Sequence, residues 1–295
     1  MPSLKDIRSR IGSVRNIAQI TRAMEMVAAS RMKRAQDSIL AARPYANELE
    51  DTLRRVAAAE GLTEEVNPLL ARRPVRRVAM IVITTDRGLA GSLNANATRA
   101  VLRWVTERAT GADGGRIEID AITVGRKGRD AVRRAGVPIA AHFTQLGDRP
   151  SFADVTPIAR LVTADFLTEK YDEIDIAYST FVSTLAQRPQ IDRLLPVERP
   201  EMGEEHQRTN DEYLFEPSPE AVLSRLLPHY VAIGIYRAVL ENNASEQSAR
   251  MIAMRNSTEN ANELIDDLTL VYNKTRQATI TREMIEIASG AEALG

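Results

Sequence analysis

The sequence contains no cysteine among its 295 residues. Disulfide bonds, thiolate nucleophiles and cysteine-based metal sites are therefore excluded. The three histidines, His142, His206 and His229, lie far apart in the chain and lack the close spacing of metal ligands. Aromatic residues make up only 4 % of the chain, which favours helix-on-helix packing through small and aliphatic side chains over a large core filled with rings.

Long hydrophobic runs are also missing. The longest strongly apolar stretch, residues 78–83, is far shorter than the ~20 residues that a membrane-spanning helix needs. Residues 1–6 lack the apolar core of a signal peptide. We therefore expect a protein of a cytosol-like compartment, and the missing leader favours a bacterial protein over an organelle precursor.

Charge is spread unevenly, although the formal net charge is only −1. Residues 1–43 carry nine Lys or Arg and three Asp or Glu, whereas residues 241–295 carry five and nine. A basic N-terminal arm and an acidic C-terminal arm could attract each other, or each could be a solvated helix face.

Proline is confined to positions 2–228 and is missing from residues 3–43 and 229–295. Because a proline costs ~3 kcal/mol in a helix interior, both ends of the chain can form long unbroken helices. We predict an N-terminal coiled-coil helix within residues 1–60, whose clean pattern ends at Pro44 and resumes after it. A C-terminal coiled-coil helix is predicted within residues 212–295.

Apolar or small residues recur in both arms at alternating steps of three and four, a heptad pattern that favours a left-handed antiparallel coiled coil between the two ends. In the first arm they are Ile7, Ile11, Val14, Ala18, Thr21, Met24, Ala28, Met32, Ala35, Ile39 and Ala42. In the last arm they are Met254, Ser257, Ala261, Leu264, Leu268, Val271, Thr275 and Ala278. The alternative is two amphipathic helices on a compact core, but helices this long exceed such a core.

The middle of the chain alternates between strand and helix patterns, which predicts a mostly parallel sheet. The predicted strands are 75–84, 117–124, 137–143 and 173–183, and the predicted helices are 92–110, 127–135 and 155–170. The fold class expected is therefore a Rossmann-like α/β domain, residues 75–200, inserted between the long helices. Residues 184–220 are polar and proline-rich, so a loose excursion is expected there.

Two glycine-containing turns, 86–91 and 125–128, invite a nucleotide-binding interpretation, because a turn between a strand and a helix can hold phosphate. Neither turn has the spacing of a P-loop or of a dinucleotide-binding fingerprint. Gly88 and Gly91 are therefore expected to serve a tight turn between strand and helix, and 125–128 is expected to be a solvated turn. The sequence also shows no Ser-His-Asp set and no paired carboxylates that would predict catalysis.

Four segments carry a strong family resemblance. They are ITRAMEMVAASRM at 20–32, TDRGLAGSLN at 85–94, ENNASEQSARM at 241–251 and NKTRQATITREMIEIASGA at 273–291. In this order and spacing the chain resembles, over its whole length, the gamma-subunit family of F-type ATP synthases. The segment at 273–291 is the most specific of the four.

The resemblance implies a central rotor stalk that is not itself catalytic and binds no cofactor or metal. The stalk would run through a ring of three alpha and three beta subunits, in one copy per complex. Its base would contact the epsilon subunit and a membrane ring of c subunits, on the cytoplasmic face of a bacterial cell membrane. Proton-driven rotation of that ring would then drive the catalytic subunits through their binding states.

The resemblance also implies contact residues. Met24 matches a methionine beside the beta-subunit lever, although it could equally be a core methionine. Arg276 and Gln277 match a polar pair that catches a beta subunit, and Thr281 and Glu283 match the next polar positions. The foot on the c-ring is matched by Tyr213, Phe215 and Glu216, with Phe215 replacing the tyrosine of some members. Ala90 stands where some relatives have cysteine, and the paired-cysteine insertion of light-regulated plant members is missing, so thiol control is excluded.

Two hypotheses from other classes remain. A non-motor coiled-coil scaffold with an α/β binding domain would tolerate changes at Arg276 and Gln277. A nucleotide-binding enzyme that uses the turn at 86–91 would show ATP or NAD binding by the isolated chain.

Overall fold

The computed structural model describes residues 3–60, 67–109, 115–198, 216 and 218–292. Its elements in chain order are α1 (Leu4–Glu60), β1 (Arg77–Ile83), α2 (Leu93–Arg108), β2 (Glu118–Val124), α3 (Arg126–Arg134), β3 (Ile139–Phe143), α4 (Phe152–Leu167), β4 (Glu173–Phe181), β5 (Gln187–Leu195) and α5 (Pro219–Glu292), with a short 3-10 turn at Pro68–Leu70. The long terminal helices and the central α/β domain have the predicted fold class.

Contacts divide the chain into two compact units. Residues 1–29 and 250–295 form one, here called the coiled-coil unit, and residues 30–249 form the other, here called the sheet unit. Sections of α1 and α5 belong to each unit. The division into domains 1–60, 75–200 and 212–295 that the sequence suggests stays a prediction.

The first helix begins at a capping box. Ser3 Oγ accepts from the Asp6 N–H at 3.2 Å, and Ser3 N donates to the Asp6 carboxylate at 3.1 Å. These hydrogen bonds satisfy donors that have no partner inside the helix. Ser3 Oγ also donates to the Asp6 carboxylate at 2.7 Å, and this bond together with the one from Ser3 N lowers the pKa of the exposed Asp6 carboxyl.

In the coiled-coil unit, α1 buries one stripe at alternating steps of four and three. The stripe consists of the buried or half-buried residues Ile7, Ile11, Val14, Ala18, Thr21, Glu25 and Ala28, with Met24 half-buried beside Glu25. The facing stripe on α5 consists of Met254, Thr258, Ala261, Ile265, Leu268, Tyr272, Thr275 and Thr279. Thr21 and Thr258 join the two through their hydroxyls at 2.7 Å. We call these two stripes the seam.

The observed seam corrects the predicted one on α5. Met254, Ala261, Leu268 and Thr275 are shared, but the intervening positions fall one residue later than predicted. Leu264 and Val271 are 46 % and 45 % exposed, whereas Ile265 and Tyr272 are half-buried. Both sets of positions keep alternating steps of three and four, because either residue 257 or residue 258 can lie between Met254 and Ala261 in such a pattern. The sequence pattern alone could not separate them.

The predicted interruption at Pro44 is also wrong, since α1 continues through this residue. Pro44 is exposed, and the buried or half-buried stripe continues on the other side of the helix through Ala46, Leu49, Leu53 and Val56. A proline ring on the solvent side removes one backbone hydrogen bond but does not disturb the packed face.

No helix within the described residues is long and apolar enough to cross a membrane.

The sheet unit is built on five strands in the order β3-β2-β1-β4-β5. Strand β1 pairs in parallel with β2 and β4, β2 pairs in parallel with β3, and β5 is antiparallel to β4. The predicted loose excursion at 184–220 is therefore wrong for β5. Its sequence, QRPQIDRLL, lacks a buried-strand pattern and contains Pro189, which is tolerated because β5 is an edge strand.

Helices cover both faces of the sheet. On one face, α4 and the sheet-unit section of α5 pack on β1 and β4 through a large apolar cluster that includes Val162, Phe166, Ile176, Val231 and Ile235. On the other face, α2 and α3 pack on a smaller cluster that includes Met80, Val101, Ala121, Val132 and Ala177. The sheet is therefore the middle layer of three, as expected for parallel strands.

The corrected seam can be tested by truncating neighbouring residues. We expect Ile265→Ala to lower the free energy of unfolding by about 1 kcal/mol, because it removes partly buried apolar area. Leu264→Ala, the matched control one residue earlier, should stay within about 0.5 kcal/mol of the unmodified chain. Chemical denaturation followed by helical circular dichroism measures both. A larger loss for Leu264→Ala would restore the seam predicted from sequence.

Candidate functional site

Four predicted contact residues lie on α5 in the coiled-coil unit. Arg276, Gln277, Thr281 and Glu283 are all exposed. At about 100° per residue, Gln277 and Thr281 lie on the side of the helix opposite the seam, whereas Arg276 and Glu283 flank the seam. Their side chains are therefore accessible to another molecule. Met24 is half-buried on α1, so its side chain is only partly available for contact.

The end of α5 exposes apolar side chains. Every residue from 280 to 289 is exposed, although the seam still includes Thr279. Ile280, Met284, Ile285 and Ile287 are 43 %, 66 %, 60 % and 73 % exposed. Exposed apolar side chains that recur along a helix in this way are typical of a surface that binds another molecule.

The predicted foot falls mostly outside the described residues. Tyr213 and Phe215 are not among them, and Glu216 is an exposed residue in a bend shortly before α5.

The turn at 85–94 is held by its own side chains. Thr85 N donates to Asn94 Oδ1 at 3.2 Å, and Asn94 Nδ2 donates back to Thr85 Oγ1 at 2.8 Å. Leu89 has a positive φ of 65° and is 60 % exposed. The adjacent turn packs on Thr84, because a Cβ added at Gly125 would lie 2.3 Å from the Thr84 carbonyl oxygen. Gly125 and Gly128 are buried against Thr84, so the solvated turn expected at 125–128 is wrong for these two glycines.

Asp86 occupies the position where a phosphate would be expected. One carboxylate oxygen accepts from Arg126 N at 3.0 Å, at the start of α3, and the other accepts from Gln145 N at 2.8 Å. A helix N-terminus attracts anions, and here the chain supplies its own. A phosphate at the same place would meet a carboxylate, which argues against nucleotide binding at this turn.

The polar segment 241–248 of α5 is buried against the end of β4. Glu241 Oε2 accepts from Phe181 N at 3.0 Å, and Asn242 Oδ1 accepts from Ser179 N at 3.4 Å. Ser245 Oγ donates to the Ser179 carbonyl at 2.9 Å. The segment was recognised in the sequence as a family motif, but its contact with a strand end could not be inferred from helical spacing.

The connection from β4 to β5 is held by the next turn of the same helix. Ser248 Oγ donates to the Thr184 carbonyl at 2.6 Å and accepts from Gln187 Nε2 at 3.2 Å. We call Glu241, Asn242, Ser245 and Ser248 the polar clamp. Ser245 and Ser248 are fully buried, and Glu241 and Asn242 are nearly so.

Two buried carboxylates were missed by the sequence analysis. Glu173 forms ion pairs with Arg108 and, at 2.9 Å, with Arg193, and Asp175 pairs with the same Arg193 at 2.9 Å. Burial raises the pKa of Asp175, and the Arg193 charge opposes the rise. Each carboxylate has an arginine partner, so the group forms an ion network on the sheet face. Arg108 and Glu173 lie 65 residues apart in sequence, and Asp175 and Arg193 lie 18 apart, so helix or strand spacing could not predict these contacts.

Comparison with known proteins gives one consistent match. A family model described as ATP synthase matches residues 3–294. The ATP synthase gamma chain of Dehalococcoides mccartyi is 47 % identical over 294 residues and covers both chains completely. That of Chloroflexus aurantiacus is 50 % identical over 296 residues, covering 100 % of this chain and 99 % of its own.

Solved structures show the same fold. A chain of the Euglena gracilis mitochondrial ATP synthase, in an assembly titled OSCP/F1/c-ring, superposes with a TM-score of 0.66 at 19 % identity and covers 99 % of this chain and 94 % of its own. A chain of the Tetrahymena thermophila mitochondrial ATP synthase, titled central stalk/c-ring, has a TM-score of 0.58 at 24 % identity, covering 80 % and 98 %.

The role of Asp86 can be tested directly. We expect Asp86→Ala to lower the free energy of unfolding by about 2 kcal/mol, because two backbone N–H groups lose their acceptor. Asp86→Asn, which keeps one acceptor oxygen, should lose less. Denaturant titration measures both, and calorimetry with ATP should detect no binding to the unmodified chain. ATP binding that strengthens in Asp86→Ala would instead favour the nucleotide-binding hypothesis.

Proposed function

The chain belongs to the ATP synthase gamma-chain family, and from that premise we propose how it works as the central rotor stalk of an F-type ATP synthase. Members of this family are non-catalytic subunits of the complex. The observation that carries the proposal is the end-to-end match, at 47 to 50 % identity, to bacterial gamma chains of the same length.

The geometry of the coiled-coil unit supports a shaft. Its seam contains Ala18, Ala28 and Ala261, which let the two helices approach closely, and Thr21 and Thr258 join the helices by a hydrogen bond. A pair of closely packed helices resists twisting better than a single helix, because each constrains the other along the whole seam.

The proposed mechanism depends on unequal contacts around the shaft. Proton flow would turn a ring of c subunits, and the stalk would turn with it inside a ring of three alpha and three beta subunits. A rotating surface can change a partner's conformation only if it contacts the alternative states differently. The exposed side of α5 supplies such a surface, since it carries both charged and apolar side chains.

The partners and their number are part of the proposal. We place one copy of the chain in each complex, with the epsilon subunit and the c-ring at its base. Its association with the membrane would be indirect and peripheral, on the cytoplasmic face of a bacterial cell membrane. Support comes from the family and from the matched chains, one of which lies in an assembly of OSCP, F1 and a c-ring and the other in a central stalk with a c-ring.

Contact roles are assigned to individual residues on the same basis. Arg276 and Gln277 would catch a beta subunit, and Thr281 and Glu283 would contact the ring farther along α5. Met24 would lie beside a moving beta-subunit lever. The foot on the c-ring would consist of Tyr213, Phe215 and Glu216. Exposure of the four α5 side chains supports their part of this assignment.

The first experiment is co-expression of the chain with alpha and beta subunits of the same organism, followed by an ATPase assay of the purified assembly. We expect one copy to purify with a hexameric ring and to raise ATP turnover. Removing residues 281–295 should weaken both effects, because it removes the exposed apolar end of α5. A chain that never joins the ring would favour the non-motor scaffold.

A charge substitution separates the contact role from general electrostatics. We expect Arg276→Ala to lower ATP turnover of the assembly by about fivefold, corresponding to about 1 kcal/mol from one contact. Lys274→Ala removes the same charge from another exposed position of α5 and serves as the matched control. Equal effects of the two substitutions would argue against a specific contact at Arg276.

A further inference from the structure

The polar clamp is unusual for a contact between a helix and a sheet. The rest of the sheet-unit section of α5 packs through apolar residues such as Val231, Ile235 and Val239. At the clamp, polar side chains are buried instead, and they bond to the backbone of β4 and of the connection to β5. Burying polar groups is costly unless each finds a partner, so the arrangement calls for a specific role.

The strand ladders explain why these backbone groups are free to bond to α5. Strand β1 pairs with β4 only as far as Ala177. Val182 N donates to the Ala186 carbonyl, so the alternate residues Phe181 and Ser179 direct their backbone groups away from β5. Ser245 Oγ supplies a donor to the Ser179 carbonyl at 2.9 Å. The end of β4 is thus tied to the helix as well as to its neighbouring strand.

Directionality distinguishes the clamp from the apolar contact. Apolar burial is nearly independent of orientation, so a helix packed only through aliphatic side chains can rotate slightly or slide at little cost. Hydrogen bonds weaken steeply as their angles change. Because the bonded atoms at 179, 181 and 184 belong to the backbone, α5 cannot turn there without moving the strand itself.

We propose that Glu241, Asn242, Ser245 and Ser248 are positioning residues that carry torque between the sheet and α5. This proposal rests on the proposed rotor function, since torque has meaning only if the chain turns inside a complex. In such a stalk the sheet would be driven through the base while α5 meets the load. The clamp then sets how much load the joint withstands before the helix slips.

The hydrogen bonds themselves are tested by amide exchange in the isolated chain. In the double variant Ser245→Ala, Ser248→Ala, we expect exchange in a peptide covering 179–187 to accelerate at least about fivefold, because each lost bond changes a local opening equilibrium by about that factor. Ser38→Ala is the matched control, since its hydroxyl bonds only to the Arg34 carbonyl of its own helix. Unchanged exchange in the double variant would overturn the clamp.

The torque role is tested in the complete complex in vesicles. We expect the double variant to hydrolyse ATP like Ser38→Ala when no proton gradient opposes it. When a proton gradient opposes rotation, the gradient at which proton pumping stops should fall by about half, because three of the five clamp hydrogen bonds are lost. Hydrolysis and pumping that fall together would indicate a merely structural role and overturn the proposal.

A cross-link tests the effect of strengthening the joint between α5 and the sheet. The chain has no native cysteine that would react with the cross-linker. The pair Gln187→Cys, Ser248→Cys places two thiols where the side chains now meet at 3.2 Å. Before cross-linking, we expect pumping to stop at a lower proton gradient than in the unmodified complex. A short thiol cross-linker should restore the gradient at which the unmodified complex stops pumping. If cross-linking stops ATP hydrolysis instead, the joint must open during turnover and the proposal is wrong. Failure of the unmodified chain to assemble would overturn the rotor function, and the torque role with it, while leaving the exchange result intact.

Discussion

Close pairing of α1 with α5 is the constraint on which the rest of the structure depends. Two helices can pack at short distance over many turns only if small or compact residues recur where they meet, as Ala18, Ala28 and Ala261 do here. The stripe on α1 keeps steps of four and three through both units, even past Pro44. A heptad stripe on one helix is stable only against a matching partner, which fixes α5 beside it.

The two sections of α5 solve different packing problems with one sequence. In the sheet unit the helix is nearly surrounded, by α1, α4 and the sheet, so residues 238–245 are all buried. In the coiled-coil unit only the seam is covered, and the remaining sides face solvent. A helix with one buried stripe presents most of its surface to other molecules. A helix buried on several sides moves together with the elements that pack around it.

Sequence reasoning predicted the features that depend on periodicity. The long helices follow from the proline distribution, and the strands β1, β2, β3 and β4 follow from apolar runs between turns. It missed β5, because an edge strand with one covered face and a proline does not need an apolar pattern. It also missed the Arg108, Glu173 and Arg193 network and the contacts of the polar clamp, because these join residues far apart in sequence. The seam on α5 was misplaced by one residue at alternate positions, a difference smaller than heptad spacing resolves.

The motifs that reveal the family therefore differ in physical origin. Segment 241–251 is largely buried, and a substitution such as Ser245→Ala would change both the stability of the sheet unit and whatever the clamp transmits. Segment 276–283 is largely exposed, so a substitution such as Gln277→Ala should leave the fold intact and affect only a partner. Exposed positions carry no packing constraint of their own, and a recognisable pattern there points to contacts outside the chain. A stalk requires both kinds of residue, since torque that is transmitted inside the molecule has an effect only where an uneven surface meets a partner.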